Sequence, residues 1–230
     1  MRRKVEYSRQ TLSTPNPIAR FAHKKRYSFS LALAKKFLKD GQSLLDYGCG
    51  TGDFLNKVET FGRNLKLYGF DPESKHSSEK YQIVVNTKEI EDSSVNVLCC
   101  FEVLEHLYHY ESNKFYTEAK RILHSNGSII ISVPLIGGPI LLLKEINRMS
   151  LFQRKTDYSL RELFLASFFN IKPARPKNLR TTHKGFDFCK TETEIRKNFT
   201  INQKYYSPFP YLPWYVNSQV FYICSTEECC

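Results

Sequence analysis

The segment SLLDYGCGTGDFL, residues 43–55, decides the fold. A short apolar run ends at Tyr47, three glycines follow at alternate positions, Gly48, Gly50 and Gly52, and Asp53 opens a helix-forming stretch. A glycine loop where a strand turns into a helix lets a ligand approach the backbone, because no side chain stands in the way. The spacing is one residue tighter than the Gly-x-Gly-x-x-Gly of dinucleotide-binding loops.

The order of segments on either side extends this reading. LKLYGF (65–70), YQIVV (81–85), VNVLCCF (95–101) and SIIISV (128–133) are further strands, with helices from Asp53 and over 111–124, the latter closed by Asn126-Gly127. Near-continuous apolar strands alternating with amphipathic helices predict a parallel sheet covered on both faces. Before it, Pro15 and Pro17 predict a loop and the spacing of Leu31, Ala34 and Leu38 a helix over 27–39, stopped at Gly41. After Pro134 the rhythm changes. Helices over 139–150 and 159–168, a Pro/Lys/Arg loop, a helix over 190–199 and strands over 201–207 and 219–225 complete the chain.

Composition narrows the classes. A chain of 230 residues with 41% hydrophobic residues is expected to form one domain: a basic extension and helix (1–40), a ligand-binding core (41–134), a helical insertion (135–180) and a closing helix with strands (181–230). The net charge of +11 suits an anionic partner. The start MRRKVEYSRQ does not read as a signal peptide, and the apolar run from Pro134 to Leu143 is shorter than the ~20 residues of a membrane span. Seven cysteines without paired spacing, among them Cys49, Cys99, Cys100, Cys229 and Cys230, predict reduced thiols and a cytoplasmic location.

Asp46, two residues before the first glycine, would face a cationic amino group and repel a pyrophosphate, which favours S-adenosylmethionine over NAD. Asp71, at the end of the next strand, is placed to accept from both hydroxyls of a ribose. With these residues in view, LLDYGCGTGDFL, YGFDPE, FEVLEHL and NGSIIISVP resemble, in order, the signature segments of class I S-adenosylmethionine-dependent methyltransferases, notably the broad group that includes the ubiquinone-biosynthesis O-methyltransferases. The resemblance covers about 43–134. It implies an α/β, Rossmann-like seven-stranded sheet with an antiparallel last strand. It also implies that Asp46, Gly48, Cys49, Gly50 and Gly52 hold the methionine part, that Asp71 binds the ribose, that Asn86 and Thr87 border the adenine, and that Phe101 and Glu102 lie beside the cofactor. Asn86 and Asn96 stand where the family usually has Asp; the latter reads as structural.

On the acceptor side, His106 and His183, the latter in the HKGFD segment 183–187, are the candidate general bases, since imidazole titrates near neutral pH. Glu102, Glu105 and His106 have the spacing to share one face of a helical turn, and with His183 would suit a divalent ion; the expectation is a site without metal. Residues 135–180 are expected to form a lid, hinged at Gly137-Gly138, over the acceptor. The reading is O-methylation of a small hydroxyl compound such as a sugar, a quinone precursor or a lipid-linked molecule, with S-adenosylhomocysteine as product. An RNA acceptor, a peripheral membrane contact through the apolar stripe of 139–149, and a catalytically silent partner subunit are the alternatives.

Overall fold

The computed structural model describes residues 17–74, 78–152 and 156–226. The basic residues of 1–16, Pro15, Cys229 and Cys230 lie outside them. In chain order the elements are α1 (Pro17–Phe37), β1 (Ser43–Tyr47), α2 (Asp53–Val58), β2 (Lys66–Phe70), β3 (Gln82–Val84), β4 (Val95–Phe101), α3 (His109–Ile122), β5 (Leu123–Pro134), α4 (Pro139–Phe152), α5 (Leu160–Phe168), α6 (Phe188–Asn198), β6 (Thr200–Ser207) and β7 (Gln219–Ser225), with short 3₁₀ turns between some of them.

The seven strands form one sheet in the order β3-β2-β1-β4-β5-β7-β6. β1 to β5 pair in parallel, while β7 runs antiparallel to both β5 and β6. This is the predicted α/β sheet with its antiparallel last strand. Because strand side chains alternate between faces, the central strands feed two cores at once. Leu45, Leu98, Ile129, Ile131 and Tyr222 pack against Phe115, Ala119 and Ile122 of α3 and Ile195 of α6. Leu44, Val97, Ile130 and Phe221 pack against Leu33 and Ala34 of α1 and Leu55 and Val58 of α2. Covering both faces brings the carboxyl ends of β1, β2 and β4 to one open edge, where ligands bind in such sheets.

Two expectations need correction. α1 begins at Pro17, ten residues before the predicted start. Proline suits the first helical position, where its missing N–H would have no helical partner and its φ is already set. α3 ends at Ile122, with no glycine cap, because Leu123 turns extended and pairs with Val95. Asn126 and Gly127 fall inside β5, at the irregularity between the Val95↔Leu123 and Val97↔Ser128 pairs. Asn96 is structural as expected: its Oδ1 accepts from the Ser43 backbone N–H and hydroxyl, each at 3.0 Å, fastening β4 to the start of β1.

Candidate active site

The cofactor side is built around the loop after β1. The backbone N–H groups of Gly48 and Cys49 both donate to the Phe70 carbonyl, at 2.7 and 3.1 Å, which turns the chain across the end of β2. Gly50 sits at φ +53°, and a Cβ there would meet nothing within 4 Å, so its open side is left for a ligand. Gly52, at φ +77°, has no room for a side chain because the buried Tyr81 hydroxyl lies against it. Asp71 joins the same assembly: its carboxylate accepts from Gly50 N–H at 3.2 Å and from Glu73 N–H at 2.9 Å.

Asp46 lies at the floor of this loop, 5% exposed. Burial pushes its carboxyl up to about 7, and the neighbouring Asp71 adds to the shift. A cation placed between the two acids would oppose both effects and favour the ionised forms. The buried Cys49 thiol is pushed up to about 12, first by desolvation and then by the same two acids, so it stays neutral and unreactive. Phe101, half-buried at the end of β4, packs edge-on against Phe54 at 5.1 Å. Asn86 and Thr87 follow β3; the Asn86 polar groups close the local turn, and the Thr87 carbonyl is tied to α3. Asn86 accepts from Lys88 N–H at 3.1 Å while Glu89 accepts from Asn86 N–H, and the Thr87 carbonyl takes Arg121 Nη2 at 2.8 Å.

The acceptor side does not form the single face predicted for Glu102, Glu105 and His106. Glu102 adopts φ +57°, a left-handed conformation uncommon for a non-glycine residue, and Leu104–His106 is a 3₁₀ turn. Glu102 therefore does not join the other two in one group of ligand atoms, though its carboxylate still acts on Glu105 electrostatically. It pairs with Arg26 of α1 at 2.9 Å, accepts from Gln219 Nε2 of β7, and feels Lys144 of α4. Burial raises its carboxyl, and the Arg26 and Lys144 charges oppose that.

Glu105, His106 and His183 do converge. One ligand atom of each lies within 4.8 Å of the others, with Glu105 Oε1 at 3.9 Å from His106 Nε2 and 4.0 Å from His183 Nδ1. His106 Nδ1 donates to the Leu179 carbonyl at 3.1 Å, since a carbonyl only accepts, and this leaves Nε2 as the free lone pair. The Glu105 carboxylate is buried, neither oxygen has a hydrogen bond, and its pKa is pushed well up by desolvation and then by Glu102. His183 is driven down to about 3 by burial and by the charges of His106, Lys144, Arg175 and Arg26; burial also lowers His106. Both imidazoles are therefore neutral at physiological pH. Such a cluster can accept a proton or, with its free nitrogens and unpaired carboxylate, hold a divalent ion.

Several residues of this site escaped the sequence reading. Arg26 and Tyr27 reach over from α1, and Tyr27 donates to the Asp53 carbonyl at 3.1 Å beside the glycine loop. Lys144 is held down to about 8 by burial and donates to the Leu135 carbonyl at 3.2 Å. Arg175 donates to the Glu105 carbonyl and to that of Lys184. In the sequence Arg26, Lys144 and Arg175 are three members of an abundant basic class, Tyr27 is one of many tyrosines, and only the fold selects them. Gly138, an expected hinge, is tied by its N–H to the Ala166 carbonyl at 3.0 Å.

A Rossmann-like sheet, a tight glycine loop with an acid before it and a second acid after β2 define a nucleoside-cofactor enzyme. The methyltransferase domain family model matches residues 19–168, and the chain belongs to that family. It is a class I methyltransferase, an enzyme that takes its methyl group from S-adenosylmethionine. Solved structures of the same fold include a protein from Pyrococcus horikoshii at 15% identity and a TM-score of 0.60, covering 97% of this chain and 100% of that one. Magnesium protoporphyrin IX methyltransferase from Synechocystis, with bound S-adenosylhomocysteine, is 12% identical at a TM-score of 0.57, covering 93% and 89%. A methyltransferase dependent on S-adenosylmethionine from Aquifex aeolicus is 12% identical at 0.54, covering 86% and 89%. No curated protein matches the sequence significantly.

Proposed function

We propose that the chain methylates a hydroxyl oxygen of a small anionic acceptor, held between the ends of β4 and β5 and the helices α4 and α5. The supporting observation is the grouping of two neutral imidazoles, His106 and His183, with the cations Arg26, Lys144 and Arg175. Bound S-adenosylmethionine would supply the methyl group and take the C–S electrons on its sulfur, while the chain's residues would align the acceptor hydroxyl with the methyl and take up its proton on an imidazole. His183 alone is a weak base because burial, and then the nearby cations, depress it. An acceptor carboxylate or phosphate lodged among those cations would offset them and raise its basicity, so the substrate's own charge prepares the base. The chain contributes alignment and exclusion of water, which is most of what methyl transfer requires. Asp46, the glycine loop and Asp71 would hold the cofactor, and residues 135–180 would act as the lid.

The test is transfer of labelled methyl from S-adenosylmethionine to hydroxy acids, sugar phosphates and quinols. His183→Ala should lower kcat by about 10²–10⁴-fold with unchanged cofactor affinity. Full activity in that variant removes the base, and equal use of neutral and anionic acceptors removes the charge requirement.

A second reading has its own support in the unpaired oxygens of Glu105: a divalent ion bound by Glu105, His106 and His183 would activate the hydroxyl in place of a base. Activity lost in EDTA and restored by a divalent metal selects it; activity indifferent to EDTA rejects it.

A further inference from the structure

The helices of residues 135–180 bury one face and leave the other apolar and open. α4 turns Leu141 inward and exposes Leu143, Ile146 and Met149. α5 buries Leu163 and Ala166 and exposes Leu160, Phe164 and Phe168, which stack in one row at intervals of four residues. Leu160 is 86% exposed.

The loop between β6 and β7 extends the same surface. Its Phe209, Leu212 and Tyr215 are exposed, and Tyr211 is exposed to 97%. The buried Asn217 holds it in shape, accepting from Phe209 N–H and donating to the carbonyls of Phe209, Leu212 and Pro213. Continuity follows from three contacts. α4 touches the turn Trp214–Val216, Gly138 lies against Tyr215, and the Phe209 ring meets Phe21 of α1 at 6.2 Å. Single exposed apolar residues are ordinary, but a connected face on three adjacent pieces of chain marks an interaction site.

The charge around this face indicates its occupant. Among the described residues of 139–177, Arg161 and Lys177 are exposed cations, and of three acids only Asp157 is exposed. Of those acids, Glu145 is buried and Glu162 is paired with Lys184 at 2.8 Å. Lys25 stands over the Phe21 ring at 5.7 Å, and Lys24 beside it is exposed. A second copy docked by the same face would bring two positive surfaces together. A bilayer with anionic headgroups instead complements both the apolar rows and the charge. No helix among the described residues is long and apolar enough to cross a membrane, so the contact would lie in the interface plane.

We propose that this face docks on an anionic lipid surface, with the outer rows of α4 and α5 and the aromatic loop at headgroup depth. This goes beyond the methyl-transfer reading and stands independently of the acceptor's identity. The experiment is sedimentation of the full chain with phosphatidylcholine vesicles, with and without phosphatidylglycerol. Binding to the anionic vesicles should be at least about tenfold stronger and should weaken with salt. Phe164→Ser with Phe168→Ser, and separately Tyr211→Ser with Leu212→Ser, should each reduce it about tenfold or more while melting temperature and S-adenosylmethionine affinity hold. Failure to sediment with anionic vesicles overturns the proposal, as does equal partition of wild type and both variants. Light scattering that shows a dimer dissolved by the same substitutions would overturn it too, and assign the face to a second copy.

Discussion

Replacing Asp46 by Asn should make the protein more stable without cofactor and unable to bind it. The carboxyl is 5% exposed and moves from 3.8 to about 7 on folding, mainly through desolvation. A raised acid pKa means that the folded state holds the proton more tightly than the unfolded chain. Its contribution to stability is complete below the unfolded value near 4 and is lost as pH rises through about 7. At 1.36 kcal/mol per pH unit the ionised group opposes folding by about 4 kcal/mol at pH 8, and by about 1–2 kcal/mol at pH 5. Asparagine keeps the shape and removes the charge, so its advantage should shrink by about 3 kcal/mol between pH 8 and pH 5. For a chain of this size each kcal/mol moves the melting temperature by about 2–4 °C. Scanning fluorimetry at the two pH values, with and without S-adenosylmethionine, reads all of this. The cofactor should raise the melting temperature of the wild type and leave the variant unmoved. A variant less stable than wild type at pH 8, an advantage that does not change with pH, or an undiminished cofactor shift would each refute the reasoning.

Three further outcomes follow from the same site. S-Adenosylmethionine affinity of the wild type, measured by calorimetry, should fall about tenfold per unit as pH drops below about 7, because its ammonium needs the ionised Asp46. Asp71→Ala should weaken that affinity by about 1–3 kcal/mol, through the two ribose hydroxyls and through the Gly50 N–H it now holds; equal titrations of variant and wild type would dismiss the assignment. Arg26→Ala should lower stability to urea by about 1–3 kcal/mol by leaving Glu102 with only Lys144 and Gln219 against its charge, and Glu102→Gln in the same chain should recover much of the loss.

Most of the fold was legible because the signals are local. SLLDY, VNVLCCF and SIIISV are apolar enough to announce buried strands, and Asp46, Gly48, Gly50, Gly52 and Asp71 occupy turns whose chemistry depends on a few consecutive residues. The first helix was cut short because Pro17 reads as a loop residue unless its place at a helix start is known. The FEVLEHL segment misled in a different way. Helical spacing put Glu102 with Glu105 and His106, whereas Arg26 and Gln219, 76 and 117 residues away along the chain, draw it elsewhere. Residues such as Arg26, Lys144 and Arg175 owe their importance to burial beside an acid, and no short window of sequence contains both partners.

The seat of α1 has a consequence for when the site can exist. Phe29 packs edge-on against Tyr205 of β6 at 5.6 Å and Phe221 of β7 at 4.9 Å, almost the whole described chain apart. The same helix carries Tyr27 to the glycine loop and Arg26 to Glu102. The earliest described helix thus completes its seat only with the last two strands, and contacts of such long sequence separation form late and slowly. During synthesis Leu33 and Ala34 of this helix find their partners in β1, α2 and β4 early, whereas Phe29 must wait for its own. A chain stopped short of β6 would keep those earlier contacts yet leave Phe29 without its aromatic seat, so α1 should sit less firmly beside the glycine loop until the final hairpin is made.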